Sequence, residues 1–182
     1  MHYIYNISFF LLFFFISIFL NYYFAPIGLD LYHDGTQAKS SIDLYYGKNP
    51  YSETYVEYGS LTLLINSFIF KLFDINIIFL KYLAGFYNFL LHLTFLTFNY
   101  IYFKSLKISI FLSLSLVFFE NFTDKNYFDI SNSHLTILLF MLASLCCLCF
   151  LRYKKNIYIY LISFLLLLSF FNKINYAVYT YL

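Results

Sequence analysis

Residues able to do chemistry concentrate in one stretch of this 182-residue chain, positions 25–59. It holds Asp30, Asp34, Asp43, Glu53 and Glu57, five of the nine acidic residues, together with His33, both prolines and four of the five glycines. A carboxylate at such a place can act as a general base toward an incoming hydroxyl or amine, or can hold a divalent ion. His33 beside Asp34 suits a metal or a phosphate, and equally suits a half-exposed interfacial histidine. Asp34 has a plain structural role open to it as well. With Gln37 three residues on, it fits a helix N-cap of the capping-box type. Glu53 and Glu57 read as solvated loop charges.

The elements around this stretch are of a different character. Hydrophobic residues make up 62% of the chain and charged residues 11%, against about 25% charged in an average soluble domain. The apolar residues come in blocks, with no charge in 7–20, 82–103, 134–151 or 157–171. A helix needs about 20 apolar residues to cross the hydrocarbon, and lipid cannot satisfy exposed backbone groups. The fold class expected is therefore all-α: a polytopic bundle of about five spans at 7–24, 82–103, 106–122, 134–151 and 157–172. A soluble globular domain is excluded. The net charge of +2 forms no basic patch on a soluble surface and gives no reason to expect nucleic acid. The first span lacks a basic leader region and a small-residue cleavage site, so it reads as a retained anchor.

Two shorter segments belong to the connection. Ala38, Ile42 and Tyr45 recur on one helical face, Gly47 supplies the stop and Pro50 forbids continuation, which predicts an amphipathic helix over 35–46. Residues 60–73 are too short to span, and Ser60, Ser67 and Lys71 lie opposite a stripe of Leu61, Leu64, Ile65, Phe68, Ile69 and Leu72. They read as a second interfacial helix. Lys104 and Lys107 then share a side with Arg152, Lys154 and Lys155, which puts that side in the cytoplasm by the positive-inside rule and loop 25–59 outside. A spanning 60–73 segment would leave those five residues inside and move only the loop. Cys146, Cys147 and Cys149 lack zinc-site spacing and read as buried filler, with palmitoylation beside Arg152–Lys155 as the alternative. His92, in mid-span, is expected to pack against a polar partner; a haem pair with His134 is the other geometry considered.

The order His33-Asp34-Gly35, Ala38, Gly47-Lys48-Asn49-Pro50-Tyr51, Tyr58-Gly59, then an apolar helix ending Lys71-Leu72-Phe73, resembles the first external loop of the GT-C glycosyltransferases. That superfamily includes the protein O-mannosyltransferases and the aminoarabinose transferases. The chain departs from the pattern at Ser60, where the family has Pro, and at Asp74, where it has Gly. The resemblance covers about residues 7–103; beyond it, Lys173-Ile174-Asn175-Tyr176 is a weak echo.

The resemblance implies a membrane enzyme that moves a sugar from a polyprenyl-phosphate donor to an acceptor on the non-cytoplasmic side. It makes Asp34 the catalytic carboxylate, as general base or as ligand of a divalent cation. Asp124 or Asp129 is the second acidic position, and His33, Tyr51 and Tyr58 are substrate-binding. It also implies one membrane domain, the N-terminal portion of a larger one and inactive if cut off from the rest. The rival expectation is a small non-catalytic multi-span protein, a transporter subunit or assembly factor, with no need of a carboxylate. Sugar and acceptor are not legible.

Overall fold

The computed structural model describes residues 2–27, 33–56, 59–123 and 133–172, with side chains described for these except 2–6, 33, 121–123 and 133. Among them lie seven helices and no strand: α1 (His2–Phe24), α2 (His33–Tyr45), α3 (Ser60–Phe73), α4 (Ile77–Phe103), α5 (Leu106–Thr123), α6 (Ser133–Tyr153) and α7 (Ile157–Asn172). Three of these, over Ile7–Phe24, Ile77–Phe103 and His134–Tyr153, are long and apolar enough to cross a membrane. Their outer faces carry large apolar side chains, among them Phe15 and Phe19 on α1 and Leu151 on α6. In water that surface would be an aggregation hazard; against lipid it is the ordinary state.

The central helix is α4, which touches α1, α3, α5 and α6. It starts at Asn76, whose side chain accepts from the Ile78 N–H at 2.9 Å, and stops at Lys104, left-handed at φ 56°. α1 runs antiparallel to it, because Ser17 meets His92, Asn21 meets Asn88, and Ala25 lies against Gly85. Gly85 permits that approach: a Cβ there would stand 3.0 Å from the Asn21 carbonyl oxygen and 3.1 Å from Ala25 Cβ. Small residues at crossing points are the usual means of closing helices in lipid, where burial drives little. Phe13, Leu96, Ile110 and Val117 fill the core shared by α1, α4 and α5.

The Arg152 guanidinium donates to the Ile101 carbonyl at 3.2 Å, setting α6 parallel to α4. α7 returns, its Asn172 amide donating to Thr136 Oγ1 at 2.8 Å. The bundle thus has a turn end, with 104–105 and 154–156, and a loop end, where α2 and α3 sit. Lys104, Lys107, Arg152, Lys154 and Lys155 share the turn end, as their spacing requires.

α3 has both ends at the loop end. Its first turn is tied to α7, where the Gly59 N–H donates to the Asn172 carbonyl at 3.0 Å and the Thr62 N–H to Asn172 Oδ1 at 3.1 Å. Its Phe70 packs on Leu80 near the start of α4. The polar stripe of this helix divides, Ser67 being buried and Lys71 exposed. Thr62, Asn66 and Ser67 are buried, while Leu64, Phe68 and Leu72 are exposed. The neighbouring helices supply the polar company, and the apolar stripe faces away from the protein.

The cysteines depart from expectation. Cys147 is exposed, and Cys146 and Cys149 are half-buried, so they are not core filler. Of the three only Cys147 faces fully outward, where a small apolar thiol is compatible with lipid.

Candidate functional site

α2 forms where the periodicity places it, two residues longer at its start than predicted. Ala38 is buried against Phe70 and Leu80, with Ile42 and Tyr45 packed on the same cluster. Gly47, at φ +86°, lets the chain leave the helix in a conformation other residues adopt at a cost. Continued toward the N-terminus, the packed stripe reaches Asp34, one turn before Ala38. The position that would bury another apolar residue therefore buries a carboxylate.

Lys81, the residue after Leu80 in α4, covers that carboxylate. Its Nζ lies 2.6 Å from Asp34 Oδ2, and the two side chains are 2% and 0% exposed. Because α2 begins at His33, Asp34 stands inside the first turn, and its side chain is directed across to another helix. The N-cap role expected from its spacing with Gln37 is therefore not the one it takes. Two further buried polar atoms line the same helices without a hydrogen-bond partner among the described residues, Gln37 Oε1 on α2 and Asn66 Nδ2 on α3.

The turn after α2 is held by its own charges. Lys48 Nζ lies 2.7 Å from Asp43 Oδ1 and Lys39 Nζ 3.3 Å from Oδ2. The hydrogen bond from Lys48 is the main reason that the Asp43 carboxyl titrates below its ordinary value; partial desolvation opposes it and Lys39 reinforces it. Ser40 donates to the Tyr55 carbonyl at 2.7 Å, and the Asn49 N–H donates to Glu53 Oε2 at 2.7 Å. Glu53 is exposed, as expected of a loop charge, and closes the Gly47–Tyr51 turn. Tyr51, with φ 69°, points outward and is 65% exposed, so it is not gathered with the buried Asp34. Tyr58, Asp124 and Asp129 lie outside the described residues, as does the side chain of His33.

As a metal site the described part of this constellation is poor. A divalent ion asks for about six oxygen ligands, and the ammonium of Lys81 already holds one Asp34 oxygen. Among the described residues no group of three or more His, Cys, Asp or Glu side chains is placed to hold a metal.

Deeper in the bundle, His92 has the polar company expected of it. Its Nε2 lies 2.7 Å from Glu120 Oε2, and its Nδ1 lies 3.0 Å from Ser17 Oγ and 3.1 Å from Asn21 Nδ2. Both ring nitrogens are thus engaged, which leaves neither for a haem iron shared with His134.

Lys81, Ser17, Asn21, Asn88 and Asn172 were not singled out from the sequence. A signal for two of them, Lys81 and Asn88, was present. Positions 81, 88, 92 and 99 of α4 carry Lys, Asn, His and Asn, steps of seven, four and seven that keep one face of a helix. Placing the start of the span at 82 left Lys81 outside the stripe. Comparison with protein-family models, with curated proteins and with solved structures finds no match to the chain.

Proposed function

We propose that the chain is a GT-C-like membrane glycosyltransferase, or the N-terminal part of one. It would transfer a sugar from a polyprenyl-phosphate donor to an acceptor at the loop end. The observation that supports this reading most is the buried Lys81–Asp34 pair. A transfer of this kind needs a base for the acceptor proton and a positive charge for the departing phosphate. Asp34 and Lys81 supply one of each at a single spot. Asp34 takes the proton of the acceptor as its oxygen or nitrogen attacks the anomeric carbon. The sugar–phosphate bond breaks, its electron pair leaving on the polyprenyl phosphate, whose negative charge Lys81 faces. Both side chains are enclosed, so entry of substrate draws Lys81 away from Asp34. His33, Tyr51, Tyr58, Asp124 and Asp129 stay in the proposal as residues of the same loops. The step is written without a divalent cation, because Lys81 supplies the positive charge that the departing phosphate needs.

We infer five spans, α1, α4, α5, α6 and α7, with α2 and α3 at the outer membrane boundary. The turn end, which carries Lys104, Lys107, Arg152, Lys154 and Lys155, faces the cytoplasm. The loop end, with Asp34, Asp43, Glu53 and Asp74, faces away from it.

The same ion pair also favours a second reading, in which the chain is a non-catalytic membrane protein and Asp34 only pins α2 to α4. One substitution separates the two. Asp34→Asn keeps a hydrogen-bond acceptor opposite Lys81 while removing charge and basicity. In the longest chain that carries this sequence, transfer of labelled sugar from a polyprenyl-phosphate donor is expected to fall by about a hundred- to ten-thousand-fold, the usual worth of a general base. Protein amount and melting temperature are followed alongside. Turnover near that of the wild type overturns the catalytic role, and activity abolished by a chelator overturns the metal-free step.

A further inference from the structure

The turn end of the bundle gathers five cations that the proposed transfer does not use. Lys104 and Lys107 come from the α4–α5 turn, and Arg152, Lys154 and Lys155 from the α6–α7 turn; all five are exposed. The two turns lie side by side, because the Arg152 guanidinium donates to the Ile101 carbonyl at 3.2 Å. They are also built alike. Lys104 follows α4 at φ 56° and Lys154 follows α6 at φ 55°. Each donates its N–H to the carbonyl four residues before, Tyr100 at 3.0 Å and Phe150 at 2.8 Å. Glycine or asparagine adopts this left-handed conformation more cheaply than lysine does.

Among the described residues no carboxylate answers these charges. The sequence has no acidic residue between Asp74 and Glu120 and none after Asp129. α4, α6 and α7 therefore carry none, and Glu120 on α5 stands one turn from that helix's opposite end. Arg152 and Lys154 lean instead on aromatic rings of their own helix, 5.5 Å from the centre of the Tyr153 ring and 5.7 Å from that of Phe150. Helix dipoles favour cations at the ends of α4 and α6, but they oppose Lys107 in the first turn of α5 and Lys155 just ahead of α7. The positive-inside rule asks for basic residues on one side of the membrane. It makes no demand for lysine at a left-handed position or for two turns drawn together.

The surroundings decide what kind of anion fits. α4 and α6 are both long and apolar enough to cross a membrane, and the two turns follow directly on their ends. Tyr102 and Tyr153, exposed there, have the place of an interfacial aromatic belt, which sets the cations at the level of lipid headgroups. Beside them the outward faces are apolar, with Phe103, Ile108, Leu151 and Ile157 exposed. A ligand with a negative head and hydrocarbon chains meets both surfaces at once, whereas a soluble phosphate meets only the first.

We propose that the turn end is a binding site for an anionic phospholipid of the surrounding membrane. The lipid phosphate sits between the two turns, where cations from both reach it, and the acyl chains lie along the exposed apolar faces beside them. Each basic residue near such a headgroup is worth about fivefold in affinity, and the repulsion among the five cations is relieved when the anion arrives. The site depends neither on the proposed sugar transfer nor on which side of the membrane the turn end faces.

The test is native mass spectrometry of the full chain from non-ionic detergent, titrated with dioleoylphosphatidylglycerol or with dioleoylphosphatidylcholine. The first lipid is expected to bind more tightly than the second by about tenfold or more. Lys104→Asn with Lys154→Asn removes two charges and keeps residues suited to the left-handed turns. It should weaken phosphatidylglycerol binding by about 25-fold and leave phosphatidylcholine unchanged. Lys107→Gln with Lys155→Gln lies outside those turn positions and should weaken binding to a similar degree, so it decides the matter if elution or melting shows that the first pair alters the fold. Lys71→Gln, at the loop end, should change nothing. Equal affinity for the two lipids overturns the proposal, as does phosphatidylglycerol binding untouched by the double variants. So does a loss in Lys71→Gln as large as that of a single turn-end substitution, which would make the effect one of net charge. Displacement of the bound lipid by glycerol 3-phosphate at a comparable concentration also overturns it, because the site would then take soluble anions.

Discussion

Lys81 Nζ stands 2.6 Å from Asp34 Oδ2, and this contact joins the loop-end helix α2 to the central helix α4 with both side chains closed off. Removing one partner of such a pair leaves a buried charge and costs about 3–5 kcal/mol, whereas replacing both by apolar groups is often neutral. Lys81→Met should therefore lower the melting temperature sharply, and Lys81→Met with Asp34→Leu should recover most of the loss. Thermal unfolding in detergent measures it; additive losses in the double variant would contradict the pairing.

The glycines separate two structural demands. A Cβ on Gly59 would overlap the backbone of Phe171 and Asn172, where α3 is tied to α7, so neither neighbour can yield without breaking the tie. Gly35, in the His33-Asp34-Gly35 motif, has open space at the same position. Gly59→Ala is expected to abolish folded protein. Gly35→Ala should leave folding intact or improve it by up to about 1 kcal/mol, since Ala is the better helix former. Yield of monodisperse protein from gel filtration distinguishes them.

The turn that carries Asn49 and Pro50 should loosen in acid. The Asp43 carboxyl titrates below its ordinary 3.8 because Lys48, with Lys39, bonds its charged form. A depressed folded value means that the stabilisation is fully present above the unfolded pKa and is lost as pH falls through the folded one. Proteolysis near Lys48 should thus be pH-independent from neutrality to mild acidity and rise only below the ordinary carboxylate range. Asp43→Asn should show the looser turn at every pH. Cleavage is measured at each pH relative to an unfolded substrate cut by the same protease, with an acid-active enzyme for the low range and a neutral one above it.

Reporter fusions test the orientation. A fusion at Asn49 should report a non-cytoplasmic position and one at Lys155 a cytoplasmic one, because both ends of α3 lie at the loop end and five basic residues share the turn end. A cytoplasmic signal at Asn49 would mean that α1 crosses in the opposite sense.

Much of the architecture is local in origin and was therefore legible. The uncharged blocks fix the long helices, because a backbone in lipid must bond within its own segment. Gly47 and Pro50 fix the end of α2, and the Ala38–Ile42–Tyr45 spacing fixes the face it packs, since both depend on residues a few positions apart. Which residues α3 buries was not legible, for a physical reason. Amphipathic spacing states that two faces differ, but which one points inward depends on what the neighbours offer. Here Asn172 of α7, whose amide donates to Thr136 of α6, accepts from the Thr62 N–H and hydroxyl, and so Thr62 is buried.

The partners of the charged residues belong to tertiary structure alone. Asp34 could be named from its motif, but its meeting with Lys81 spans 47 positions and depends on how α2 lies across α4. Glu120, one of three acids in a loop without a motif, acquired a definite place only when α5 folded back along α4 and set it against His92. Apolar content determined that helices would form and pack. Which buried charges met was decided by the register of that packing, because an ion pair forms between whatever side chains the crossings bring within reach.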